Sequence, residues 1–329
     1  MLKIKTHYQK IQTVILGSSF FTEGGDWRSI YFYARYQESL GQKIALVNMG
    51  GKRGFRQFLA STFFAPRILV NGLGTCSRWE VLLLCWFRRD VRIYLHETRY
   101  SLDGFQRESP LKYRVLKKIL KRNSLLCVSH QAAAHYRERF GSERTHVVHE
   151  CPGIVDPTPL DPAKKHIVMV GSINHRKGAE LFSQVADLAA ASHPDWKFHW
   201  VGGLATMDPI YQSPAVTWHG WQWSPLDIVR QCDVFFLSSC DDPCPLAALE
   251  ALHLGKRCVA YRETGIAELI EGKSGCEVME AYMASDALAA LEKVFLSPCD
   301  VTQIAFEIKA KTGLEAFKSA IDIASRVAG

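Results

Sequence analysis

Short apolar runs rich in β-forming residues alternate with amphipathic helical segments along the whole of this 329-residue chain. Runs that are apolar almost throughout are typical of strands covered on both faces, as in parallel sheets. The predicted strands are Thr13–Gly17, Ile44–Val47, Arg67–Asn71, Val91–His96, Leu125–Ser129, Thr145–His149, Ile167–Gly171, Lys197–Gly202, Val216–His219, Asp233–Ser238 and Cys258–Tyr261. The alternation therefore predicts α/β architecture with helices on both faces of parallel sheets.

A proline-rich stretch interrupts the alternation in the middle of the chain. Cys151–Pro162 contains four of the 13 prolines, so it cannot continue a helix or a central strand. We interpret it as the link between two doubly wound domains, residues 1–155 and 156–300. Residues 301–329 are predicted to be C-terminal helices that pack back on the first domain. Ligands of such sheets bind beyond the carboxyl ends of the strands.

The two halves carry opposite charge. Residues 1–150 contain 25 Lys and Arg against 11 Asp and Glu, whereas residues 151–329 contain 15 against 22. The basic half indicates an anionic partner, which is a membrane surface, a phosphorylated ligand or a nucleic acid. The ten cysteines have no zinc or disulfide spacing, which favours reduced thiols. The first residues do not resemble a signal peptide, so we expect a cytoplasmic protein.

The segment Ser238–Gly255 runs from an apolar strand through a loop into a helix that we expect to begin at Pro245. The free N–H groups of Leu246 and Ala247 would then form an anion site with the helix dipole. Two carboxylates, Asp242 and Glu250, flank it and could accept hydrogen bonds from sugar hydroxyls. Phosphate beside hydroxyls describes a sugar nucleotide. In the alternative interpretation Asp242 caps the loop and Glu250 is solvated.

A second strand–loop–helix segment, Val170–Gly178, places Arg176 and Lys177 just before a predicted helix. Two cations at that position could neutralise a diphosphate leaving group. The alternative is a solvated basic turn.

Together these motifs and the later Glu-Thr-Gly-Ile-Ala-Glu-Leu-Ile run resemble the donor domain of glycosyltransferase family 4, and the likeness covers residues 166–296. The resemblance implies the GT-B fold, with two doubly wound Rossmann-like domains that face each other across a cleft. It also implies a retaining transfer from a nucleotide sugar, UDP- or GDP-linked, with no metal ion and no other cofactor.

The resemblance assigns roles to single residues. Lys177 is similar to the family's diphosphate-binding lysine, and Glu250 to the glutamate that holds the ribose. Asp242 stands where the family usually has a glutamate that contacts the transferred sugar. His96 resembles the histidine near the reacting sugar. The loop Gly24–Gly25 resembles the one where acceptor and phosphate approach the backbone.

Two positions depart from the family's pattern. Ser172 occupies a position where the family often has a second phosphate-binding arginine, a role that Arg176 could take over. The carboxylate of Asp242 is one methylene shorter than the usual glutamate. Either change could redirect or weaken turnover.

Residues 111–122 predict a basic amphipathic helix with six cations and no acid. Such a helix can lie on an anionic membrane, or its cations can simply be solvated. With a glycan or lipid-linked acceptor, membrane contact would suit cell-surface polysaccharide synthesis.

The leading hypothesis is therefore a hexosyl-type glycosyltransferase whose basic half binds the acceptor. A sugar-nucleotide epimerase and a non-catalytic binding protein of the same fold are the alternatives. A phosphorylase would need pyridoxal phosphate, for which no suitable lysine setting is evident. Nucleic-acid binding would not explain the motifs of the second half.

Overall fold

A computed structural model describes residues 11–17, 27–50, 54–62, 65–88, 90–153, 155–159 and 164–326. The chain divides into two compact units. The first comprises Met1–Gly153 and Leu314–Gly329, and the second comprises Ile154–Gly313.

The first unit is a parallel sheet of six strands in the order β2-β1-β3-β4-β5-β6. Its strands are β1 Thr13–Gly17, β2 Ile44–Asn48, β3 Arg67–Asn71, β4 Val91–Leu95, β5 Ser124–Cys127 and β6 Thr145–Val147. Its helices are α1 Arg28–Ser39, α2 Gly54–Thr62, α3 Gly72–Cys76, α4 Trp79–Phe87, α5 Arg99–Glu108, α6 Pro110–Arg122 and α7 His130–Phe140. The central strands β1 and β4 are buried along their whole length, as expected for strands covered on both faces.

The second unit is also a parallel sheet of six strands, in the order β12-β11-β10-β7-β8-β9. Its strands are β7 His166–Val170, β8 Lys197–Val201, β9 Val216–Trp218, β10 Val234–Leu237, β11 Arg257–Tyr261 and β12 Cys276–Met279. Its helices are α8 Ala179–Ser192, α9 Pro225–Arg230, α10 Leu246–His253, α11 Ala267–Ile270, α12 Ala284–Leu296 and α13 Val301–Thr312. Phe182 of α8 packs against Phe198, Trp200 and Phe236 at ring-centroid distances of 5.3–5.6 Å, which anchors this helix to the sheet.

The last helix, α14 Leu314–Arg326, belongs to the first unit. Its Phe317 is buried and lies 5.8 Å from the rings of both Tyr33 and Tyr94. The residues that the sequence grouped as 301–329 therefore divide at Gly313, because α13 is part of the second unit while α14 packs on the first.

Each sheet has one place where successive connections turn in opposite directions. In the second unit this switch point lies between the neighbouring strands β7 and β10, and in the first it lies between β1 and β3. Connections diverge there, so the carboxyl ends of the two strands leave a crevice between their loops. The architecture confirms the predicted doubly wound α/β class of the GT-B fold. The cleft between the halves stays a prediction from the resemblance.

Candidate functional site

The two motifs that the sequence singled out in the second half meet at the switch point between β7 and β10. Lys177 follows β7, and its Nζ donates a hydrogen bond to Oδ2 of Asp242, which follows β10, at 2.5 Å. Nη1 of Arg176 lies 3.6 Å from the same carboxylate oxygen and donates to the carbonyl of Asp241 at 2.9 Å. The side chains of Lys177 and Asp242 are 16% and 8% exposed, so this ion pair is largely shielded from water.

The backbones of the two loops are joined as closely as their side chains. The amide of Cys240 donates to the carbonyl of Arg176 at 3.0 Å, and the Ser238 hydroxyl donates to the carbonyl of Lys177 at 2.9 Å. Gly178 has φ +72°, and a Cβ at this position would lie 1.8 Å from the carbonyl oxygen of Ser238. Only glycine allows the β7 loop to pass this close to the β10 loop.

Ser172 supports Lys177 indirectly. Its hydroxyl accepts a hydrogen bond from Nδ2 of Asn174 at 2.9 Å, and Oδ1 of Asn174 accepts one from the amide of Lys177 at 2.8 Å. The residue that departs from the family's arginine therefore fixes the loop that carries the lysine. Asn174 is a site residue that the sequence analysis missed, although it stands inside the quoted Val170–Gly178 motif.

The helix after the second loop begins one residue later than predicted. Pro245 is the N-cap in extended conformation, with φ −69° and ψ 119°, and Leu246 is the first helical residue. The amides of Ala248 and Leu249 donate to the carbonyl of Pro245 at 3.1 and 3.2 Å. In the described part of the chain, no group accepts a hydrogen bond from the amides of Leu246 and Ala247, and both residues are partly exposed.

Glu250 lies on α10 and is only 4% exposed. The alternative interpretation of a solvated glutamate on the helix surface is therefore wrong. The alternative of a solvated basic turn is also wrong for Lys177, whose ammonium group is paired with Asp242.

In the first unit, His96 follows directly after β4, where the sequence had predicted the last residue of the strand. Its Nε2 is buried, and no hydrogen-bond partner for it lies among the residues that the structure describes. Glu97 accepts hydrogen bonds from the amide of Leu73 and, at 3.2 Å, from the amide of His96. Gly72 has φ +77°, and a Cβ there would lie 3.0 Å from both His96 Nε2 and Glu97 Oε1.

Beside Glu97 the first unit contains a cavity of about 470 Å³. It is lined by Leu73, Gly74, Ser77, Glu97, Tyr100, Ser101, Gly104, Phe105, Arg107 and Glu108. This lining includes aromatic rings, which can contact the ring faces of a sugar. It also includes hydroxyls and charged groups of both signs, which can bind sugar hydroxyls. Glu97 directly follows His96, but the sequence analysis did not assign it to the site. The predicted loop residues Gly24 and Gly25 lie outside the described residues.

In the second unit, His166, His199 and Cys232 form a group whose possible ligand atoms lie within 4.8 Å of one another, close enough to hold a metal ion. It includes the first residue of β7 and the residue two before β10, so it lies at the amino ends of these strands, away from Lys177. His199 is hydrogen-bonded to His166 at 3.0 Å and to His219 at 3.1 Å. Burial and these two histidines lower the pKa of His199 to about 4.

Within the described residues, no helix is long and apolar enough to cross a membrane.

A comparison with protein families finds a match, and it lies in the second unit. Residues 164–295 match the family model described as "Glycosyl transferases group 1". No curated protein sequence matches the chain.

Solved structures match nearly the whole chain. HepE of Anabaena in complex with UDP is 14% identical with a TM-score of 0.73, and the match covers 96% of this chain and 100% of HepE. Sucrose-phosphate synthase of Thermosynechococcus elongatus is 14% identical with a TM-score of 0.75, covering 96% and 98%. The lipopolysaccharide outer core galactosyltransferase WaaB is 15% identical with a TM-score of 0.66, covering 96% and 99%.

At these identities the structural matches establish the fold alone. The chain has the fold of GT-B glycosyltransferases, and its second unit matches a group 1 glycosyl transferase domain, which supports a transferase.

Proposed function

We propose that the protein transfers a hexosyl group from a nucleotide sugar to a hydroxyl of a glycan or lipid-linked acceptor, with retention, as a family 4 glycosyltransferase. The observation that carries the proposal is the meeting of Lys177, Arg176 and Asp242 at the β7/β10 switch point. HepE has been crystallised with UDP and with UDP-glucose, which supports a UDP-linked sugar as the donor over a GDP-linked sugar.

Four groups would bind the donor's diphosphate: the side chains of Lys177 and Arg176, and the amides of Leu246 and Ala247. Their charges and dipoles would stabilise the negative charge that develops as the sugar leaves. No metal ion or other cofactor is needed in this proposal, because these groups supply the countercharge.

The two carboxylates would bind hydroxyl groups on either side of the diphosphate. Glu250, buried on α10, would hold the ribose, and Asp242 would hold the transferred sugar. The ion pair with Lys177 uses Oδ2 of Asp242, and a carboxylate has a second oxygen that can accept a hydrogen bond from a sugar hydroxyl. Ser172 would act only through Asn174 on the position of Lys177.

In the proposed reaction the bond between the anomeric carbon and the diphosphate oxygen breaks. The acceptor oxygen forms its bond on the same face of the sugar, and its proton passes to the leaving diphosphate. The protein contributes position and charge stabilisation without a covalent nucleophile. His96 would lie near the reacting sugar, with Gly24 and Gly25 at the acceptor loop.

The acceptor is proposed to occupy the cavity beside Glu97 in the first unit. Tyr100 and Phe105 can contact sugar ring faces, while Glu97 and Ser101 can bind hydroxyls. We place the protein at the cytoplasmic face of a membrane, in cell-surface polysaccharide synthesis, with residues 111–122 toward anionic lipid.

The alternative of a non-catalytic binding protein is favoured by one observation. The lysine that would neutralise the diphosphate is paired with the carboxylate of Asp242. A protein of this kind would bind a nucleotide sugar without hydrolysing or transferring it, and an epimerase would convert it without an acceptor.

The first experiment is thermal unfolding of the full chain with UDP, GDP, ADP and their sugar conjugates. A ligand at 100 times its Kd stabilises the folded state by about 2.7 kcal/mol. We expect a shift with uridine nucleotides that is clearly reduced in Lys177→Met and kept in Lys165→Met. Lys165 is the matched control, because its ion pair with Asp195 lies on the surface. Absence of a shift with every nucleotide would contradict the donor site.

A further inference from the structure

Two helices of the first unit, α4 and α6, together form one exposed surface in which large apolar side chains alternate with cations. We call it the α4–α6 surface and define it by Trp79, Leu83, Trp86 and Phe87 of α4 and by Leu111 and the cations of α6. These five apolar side chains are 40–81% exposed. A contiguous apolar patch of this kind on a soluble unit marks an interaction site.

The exposed residues of α4 form a stripe opposite its core-facing side. Trp79, Leu83 and Trp86 recur at helical spacing, whereas Val81, Leu82 and Cys85 are buried against the unit. The apolar run Val81–Phe87 therefore splits into two faces, of which the unit covers only one.

The cations of α6 lie directly beside this stripe. Nζ of Lys112 is 5.6 Å from the ring centroid of Trp79, and Cζ of Arg122 is 5.0 Å from that of Trp86. The first contact joins the amino-terminal ends of the two helices, and the second joins their carboxyl-terminal ends. Lys118, which is exposed, lies four residues before Arg122 and therefore one helical turn from it.

The charges of the surface have one sign. All six charged residues of α6 are Lys or Arg. The acid of α4, Glu80, is paired with Arg78 at 2.6 Å, and Asp90 is paired with Arg88. Among the described residues, none of the α6 cations forms an ion pair with a carboxylate. Such cations around exposed tryptophan and phenylalanine rings match a surface that is anionic outside and apolar beneath, which describes an anionic lipid bilayer.

We infer that the α4–α6 surface binds anionic membranes through two kinds of contact. The α6 cations bind the lipid head groups, and the α4 side chains Leu83 and Phe87 insert among the acyl chains. The inference extends the proposed function, on which it rests for its biological setting, by adding α4 to the predicted helix 111–122. A purely electrostatic helix would need only the cations. The insertion step assigns a role to aromatic residues that neither donor nor acceptor binding uses.

The test is co-sedimentation of the full chain with vesicles of equal parts phosphatidylglycerol and phosphatidylcholine, and with vesicles of phosphatidylcholine alone. We expect binding to the anionic vesicles that weakens with added salt. Replacing two exposed cations, Lys118→Gln with Lys121→Gln, should weaken binding by at least about tenfold, since each cation near such a surface contributes about fivefold. Lys197→Gln with Lys311→Gln is the control in the second unit.

The second arm tests insertion. Leu83→Ser with Phe87→Ser should weaken vesicle binding about tenfold or more, whereas Phe306→Ser, a phenylalanine that is 71% exposed on α13, should not. All these side chains are exposed, so the variants should fold, and UDP-dependent stabilisation should be unchanged. Equal binding of Leu83→Ser/Phe87→Ser and wild type would overturn the insertion step. No binding to anionic vesicles, or self-association through this surface in solution, would overturn the inference while leaving the donor proposal intact.

Discussion

The carboxyl-end loops of the two sheets differ in how completely their polar side chains are bonded. In the second unit, the loops after β7 and β10 are joined through Lys177 and Asp242 and through the close backbone approach at Gly178, while Ser172 and Asn174 are hydrogen-bonded to each other within the β7 loop. In the first unit, the buried Nε2 of His96 has no described hydrogen-bond partner, and the next residue, Glu97, lines a cavity. The side chains of the proposed donor end therefore hold one another in place, whereas those of the proposed acceptor end include a polar atom that is not hydrogen-bonded.

The difference has a physical reason. A nucleotide diphosphate presents the same charges whichever acceptor is used, so a fixed set of cations and amides suits it. Acceptors vary in shape, and a cavity with unsatisfied groups can be adapted by changing a few side chains. Predictions that separate the two ends therefore test the proposal.

Gly178→Ala should have the largest effect. Its Cβ would lie 1.8 Å from the Ser238 carbonyl, so the loops must separate, at a cost of about 3 kcal/mol or more. Gly272→Ala is the matched control, because it has the same φ of +72° with no atom within 4 Å, and should cost only about 1–2 kcal/mol. Chemical denaturation measures both. Equal losses would show that the contact between the loops is not what requires glycine.

Lys177→Met and Asp242→Asn should separate phosphate binding from sugar binding. We expect Lys177→Met to weaken UDP binding by about tenfold to a hundredfold, as for loss of a charge-assisted hydrogen bond worth about 1.5–3 kcal/mol. Asp242→Asn frees the lysine, so UDP should bind as well or better while transfer is lost. Calorimetric titration and a transfer assay measure the two effects. Weaker UDP binding in Asp242→Asn would contradict this division of roles.

The second unit should lose stability in mild acid. His253 of α10 is buried and hydrogen-bonded to Thr312 at 2.8 Å, and burial lowers its pKa to about 4. The unfolded chain takes up the proton at about pH 6.5, so stability decreases as the pH falls from about 6.5 to 4, by up to about 3 kcal/mol from this group. His253→Gln should flatten the pH profile of unfolding. An unchanged profile would assign the dependence to other groups.

Gly72→Ala should disturb the acceptor end alone. Its Cβ would press on His96 and Glu97, and its left-handed φ adds a cost of about 1–2 kcal/mol. We expect a higher KM for the acceptor with UDP binding unchanged. Gly41→Ala, at φ +79° with no atom within 4 Å, controls for the backbone cost. A loss of UDP binding in Gly72→Ala would contradict the proposal that donor and acceptor bind at separate sites.

Much of the fold could be predicted from periodicity. The predicted strands before residue 262 match the observed ones to within a few residues, because apolar runs between turns leave few other states. The predicted strands do not include β12. The helices α3 and α11 have five and four residues, too short to show a helical period. Pro245 was placed inside the helix on its propensity for the first position, whereas the extended backbone makes it the cap.

The sequence by itself determined the two α/β units, the break between them and the residue types of the donor motifs, since these follow from short-range periodicity, proline and local spacing. Tertiary structure alone decided that Lys177 and Asp242, 65 positions apart, share one hydrogen bond. It also decided that Glu250 is buried, that α14 returns to the first unit, and that one face of α4 stays exposed. Each of these depends on which strands become neighbours, and strand order is a long-range property that local patterns do not encode.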